Sequence, residues 1–75
     1  MEKLLAELKE KYQGNEDGGI YQLITTADKI AELVELVNRH LGPTPAEFPP
    51  YFWSVGNEPL VMLVQEGTTI TLTII

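Results

Sequence analysis

A chain of 75 residues and 8.4 kDa, 44% hydrophobic and 21% charged, has the composition of one small globular domain spanning residues 1–75. It carries no cysteine and a single histidine, which excludes a disulfide framework, a thiolate nucleophile and a zinc–thiolate site. Eleven acids against five bases give a net charge of −6, which argues against direct binding to a nucleic-acid backbone and favours a basic protein partner.

The first predicted element is a short amphipathic helix over Glu2–Tyr12. Leu4, Leu5, Leu8 and Tyr12 share one face, and Lys3, Glu7 and Lys11 recur at four-residue spacing on the other. Charges among these leucines leave neither a secretory signal nor a transit peptide, and no run reaches the ~20 apolar residues that span a bilayer, so the chain reads as cytoplasmic. Gln13–Gly19 is a breaker cluster read as a loop. A calcium-loop reading of it fails, because Ile24 stands where the bidentate glutamate is required. Ile20–Thr25 follows as a strand with Ile20 and Ile24 on one side and Tyr21 and Leu23 on the other, a pattern that predicts cover on both faces.

A second helix is predicted from an N-cap at Thr25 or Thr26 to Gly42-Pro43. Its core stripe is Ile30, Val34, Val37 and Leu41, and Asp28, Glu32, Glu35 and Arg39 line the opposite side. Leu36 projects among Lys29, Glu32 and His40, where it is either covered by the first helix or exposed as an anchor. His40 lies in the last turn, where an imidazolium favours the helix dipole.

Pro43–Pro50 holds four prolines in eight residues and is read as an ordered connection across one end of the fold. Phe48, Phe52 and Trp53 are candidates for core bulk, while aromatic anchors beside prolines also suit a contact surface, with Tyr51 and Trp53 pointing together and Phe52 opposite. Tyr51–Val55, Leu60–Gln65 and Thr69–Ile75 form a predicted antiparallel meander. With Glu66-Gly67 as the turn, Leu63 pairs with Ile70 and Val61 with Leu72. Thr69, Thr71 and Thr73 then lie on a solvent side. Leu60–Ile75 has nine aliphatic or methionine residues and one charge, so it lies centrally in the sheet or has its edge covered by another strand.

These elements define an α+β fold of order α-β-α-β-β-β, with two helices on one face of a mostly antiparallel four-stranded sheet. Ser54 is the only serine and has no identifiable base. No phosphate-binding glycine motif, metal set or cofactor signature occurs. The functional expectation is therefore a non-enzymatic binding protein, an inhibitor or adaptor with no cofactor, docking on a larger basic protein through Asp28, Glu32, Glu35, Leu36, Tyr51 and Trp53. Nucleic-acid-processing enzymes are natural basic targets, and small acidic phage or mobile-element proteins supply the general precedent. The alternative is an assembly subunit that forms a homodimer through its C-terminal strand.

Overall fold

The computed structural model describes residues 2–75, and for Val55 and Pro59 only the backbone. Two helices, α1 (Glu2–Lys11) and α2 (Ile30–Leu41), lie on one face of an antiparallel sheet of five strands. The strands are β1 (Asn15–Asp17), β2 (Ile20–Thr26), β3 (Tyr51–Val55), β4 (Glu58–Glu66) and β5 (Thr69–Ile74), in spatial order β1-β2-β5-β4-β3. The α+β class is as the sequence predicts, with one strand more. Asn15-Glu16-Asp17, read as loop, pairs with Ile20–Gln22 across Gly18-Gly19. Both glycines have positive φ, the sign pattern of the tight turn that matches strand twist, so the turn brings even a polar, poorly β-forming segment into register.

Strand alternation sorts the side chains by face. Two rows cross the sheet beneath the helices: Tyr21–Ile74–Val61–Trp53 and Leu23–Leu72–Leu63–Tyr51. Seven of those eight side chains are buried, Tyr51 is half-buried, and Ile70 adds a further buried contact. From the helices, Leu4 and Leu8 of α1 and Leu33, Leu36 and Val37 of α2 close the core. Burying each such leucine contributes about 1.5–3 kcal/mol, so this one layer of apolar contact is the main source of stability.

The β4–β5 turn is displaced from its predicted position. Leu63 faces Leu72 and Val61 faces Ile74, which makes Gly67-Thr68 the turn. Gly67 has a φ of 62°, and its place as first central residue is the one that demands a positive φ; a Glu66-Gly67 turn would put that strain on Glu66. Because moving the turn by one residue shifts the pairing by two, every side chain keeps its predicted face.

Several expectations are corrected. β5 lies between β2 and β4 with both edges hydrogen-bonded, so it has no free edge with which to pair to a second copy. β2 is covered on one face only: Tyr21 and Leu23 are buried, whereas Ile20 and Ile24 are exposed. Phe48 is 73% exposed and adds nothing to the core. The start of α2 is preceded by a 3-10 turn, Ala27–Lys29, and the Thr26 hydroxyl donates to the Asp28 carboxylate instead of accepting from a backbone amide. The Ala27 amide donates to the Thr68 carbonyl at 2.9 Å and ties this turn to the β4–β5 hairpin.

Because Leu72 is fully buried in the middle strand and Thr71 next to it faces outward, the two positions should respond oppositely. Leu72→Ala is expected to cost about 2–5 kcal/mol, enough to unfold much of a small domain, while Thr71→Val leaves stability within ~0.5 kcal/mol. Urea denaturation followed by tryptophan fluorescence measures both.

Candidate functional site

The orientation of α2 decides which residues can meet a partner. Its buried side is Leu33, Leu36 and Val37, so the helix is turned by roughly 80° from the predicted stripe, nearly one residue's step. The cause is α1. Glu32 and His40 flank Leu36 on the helix surface and face Tyr12, just past the end of α1, and Glu7 within it, which places Leu36 under α1 with 1% exposure. The turn withdraws Leu36 from the contact set and moves Ile30 and Val34 to a half-exposed flank.

That flank is one wall of a groove of about 480 Å³. Ile30, Ala31 and Val34 line it from α2 and Tyr51 from β3, with Asn38 at one end and Glu35 and Arg39 along the outer rim. Trp53 lies behind Tyr51, ring centroids 6.1 Å apart, and is 2% exposed. Trp53 is therefore the support of the groove wall and not a contact residue. Of the six residues assigned to partner binding, the structure brings Glu35 and Tyr51 to the groove and keeps Asp28 and Glu32 exposed on the same helical segment. It buries Leu36 and Trp53. Ile30, Ala31 and Val34 were missed as site residues because an apolar helix stripe reads as core until the neighbouring helix fixes the rotation.

Asn38 holds this region together. Its Oδ1 accepts from the Trp53 indole at 2.8 Å and from the Thr44 amide at 3.2 Å. Thr44 in turn donates its hydroxyl to the Phe52 carbonyl on the free edge of β3 and accepts from the Ala46 amide. The proline segment is thereby fastened along an otherwise open strand edge.

On the other side of α2, Glu7 is the charge centre. Its carboxylate meets His40 Nε2 at 2.8 Å, Lys11 Nζ at 3.2 Å and the Arg39 guanidinium at 3.3 Å. The His40 contact, then Lys11, with Arg39 adding, hold its carboxyl down at about 2. Asp28 is also held below its ordinary value, by the Thr26 hydroxyl. Asp28, Glu32 and Glu35 form no ion pair with the described residues, so their charge faces solvent. Burial, with the Glu32 carboxylate adding, pushes the Tyr12 hydroxyl up to about 12. No group of three or more metal-ligating side chains occurs among the described residues, and no helix among them is long and apolar enough to cross a membrane.

No family model, curated protein or solved structure matches this chain.

Two outcomes follow from these contacts. Asn38→Ala leaves the buried indole N–H and the Thr44 amide without their acceptor; it should cost about 1–3 kcal/mol and loosen the proline segment, read as earlier melting and faster amide exchange at Thr44. Glu7 has a folded value of about 2 against 4.5, so its contribution is complete above the unfolded value and disappears as pH falls through 4.5 toward 2. Melting temperature measured from pH 6 to 2 should therefore fall less steeply in Glu7→Gln than in the parent chain.

Proposed function

We propose that this chain is a non-enzymatic binding protein, an inhibitor or adaptor that docks on a larger basic protein through α2 and the groove beside it. The observation that carries this reading is the juxtaposition of apolar groove and unpaired carboxylates. Ile30, Ala31, Val34 and Tyr51 offer a recess sized for one or two apolar side chains, and Glu35 stands on its rim. An aliphatic or aromatic anchor flanked by lysine or arginine fits both features: the anchor is desolvated in the groove, and the cation pairs with Glu35 at its edge.

Asp28 and Glu32 extend the negative surface along the same helical segment. With a net charge of −6 behind them, they steer a basic partner toward the groove and raise the association rate more than the final affinity. Enzymes that handle nucleic acid present such basic surfaces, and an acidic protein seated on one would compete with the phosphate backbone for it. The groove itself is held by Trp53 and Asn38, so little ordering accompanies docking and the entropic cost of binding is low.

The test uses the full chain, immobilised and exposed to a lysate of its source, with retained proteins identified and then produced singly for titration. A retained protein of high isoelectric point is expected to lose at least about tenfold in affinity with Glu32→Lys/Glu35→Lys together, and again with Ala31→Trp, which fills the groove. Reversal at Glu16 and Asp17, on the opposite edge of the sheet, should leave binding within about twofold. Binding indifferent to both α2 changes overturns the assignment.

A further inference from the structure

The helices cover one face of the sheet, and the other lies open. Ile24–Thr71–Val64 and Gln22–Thr73–Met62–Phe52 form two rows across it, read directly from the strand register. Ile24 is 62% and Phe52 43% exposed, and Met62, Val64, Thr71 and Thr73 are half-exposed. Ile20, also exposed, continues the apolar surface toward one end. Neither row contains a charge. The nearest carboxylates by register are at the margins: Asp17 opposite Ile20, Glu66 opposite Thr69, and Glu58 at the start of β4.

Three arguments identify the occupant. Charge comes first: a second copy of an acidic chain is repelled almost everywhere, yet the two central rows of this face carry no carboxylate and leave Asp17, Glu58 and Glu66 at its rim. A basic partner of the kind that suits α2 finds no carboxylate in either row, and an anionic membrane finds no cation, since all five lysines and arginines lie in α1, α2 or the 3-10 turn, on the other side of the sheet. The edges come second. β1 is short and acidic, and Thr44 caps the Phe52 carbonyl on β3, so copies are discouraged from joining edge to edge. Area comes third. Four strands ~4.8 Å apart, over about six residues of ~3.3 Å, give a footprint of roughly 400 Å². Counting side-chain relief, two copies would bury about 1,000 Å² in total, the lower limit of a specific interface.

We infer that two copies of this chain pack through the open faces of their sheets, as a weak symmetric dimer in which the sheets form a sandwich and both helical layers face outward. The contact is distinct from strand pairing through β5. Its small area sets the dissociation constant in the micromolar range, about 10–1,000 μM. It leaves α2 and its groove free, so it stands or falls independently of the proposed partner site.

Sedimentation equilibrium of the full chain from about 1 μM to 2 mM should show the mass rising from 8.4 kDa toward twice that value, with association stronger in high salt as the like-charge repulsion is screened. Thr71→Lys and Gln22→Lys each place a charge in one of the two rows; each should weaken association at least tenfold while the melting temperature changes little, and Ala6→Gln, an exposed site on α1 where the net charge is kept, should leave it unchanged. A direct readout covers the case in which a lysine variant fails to fold. In a mixture of isotope-labelled and unlabelled parent chain, filtered NOEs are expected between the methyls of Ile24, Met62 and Val64 and the other copy. A mass of 8.4 kDa at all concentrations, a dimer unaffected by folded lysine variants, or a doubled mass without those NOEs overturns the inference.

Discussion

Two helices of 10 and 12 residues cover one face of a five-stranded sheet, and the rest of the structure answers to that constraint. At 1.5 Å per residue they are roughly 15–18 Å long, about the width of four paired strands, and they cannot also reach the second face. The chain therefore concentrates its large aliphatic residues on a single side of each strand. It places β5 in the middle, where Ile70, Leu72 and Ile74 lie beneath the helical layer. The opposite side is left to threonine, glutamine and smaller amounts of apolar surface.

Within that frame the position of α1 sets the behaviour of α2. Packing α1 over Leu36 rotates the second helix, and the rotation both buries a residue that had looked like an anchor and opens the Ile30–Val34 flank toward Tyr51. The ion cluster around Glu7 joins the two helices at their solvent margin, and Asn38 does the equivalent for the proline segment and β3. Groove and charged margin are thus products of one helix–helix contact, and the covered strand edge is the work of Asn38 and Thr44.

Much of the fold was legible because alternation and helical period are local. Tyr21 and Leu23 against Ile20 and Ile24, and the threonines of β5 against its aliphatics, can be read two residues at a time. Even a turn misplaced by one residue preserves the faces. What escaped the sequence was what depends on a distant neighbour. The rotation of α2 depends on where α1 lies, the location of β5 on the return of the last hairpin to β2, and the strand at Asn15–Asp17 on a partner edge that compensates for weak propensity. The candidate site was legible at Glu35, which faces outward on any reading, and at Tyr51, an aromatic beside prolines that suits a contact surface. It was not legible at Ile30 and Val34, whose exposure follows from packing and not from residue type.

The central location of β5 also governs the order in which the sheet can be completed. β2 is made early and β4 late, yet in the finished sheet they are separated only by β5, which emerges after both. Until it does, each of these strands presents one unsatisfied edge, and the pairing of Tyr21 with Ile74 must close a loop of about fifty residues. Loop closure favours the β4–β5 hairpin, joined by a two-residue turn, over the pairing of β5 with β2, and a hairpin formed before the helices pack on it exposes the two most apolar strands. For a protein whose finished edges are so well blunted, exposure to misassociation belongs to states that lack the β2–β5 pairing.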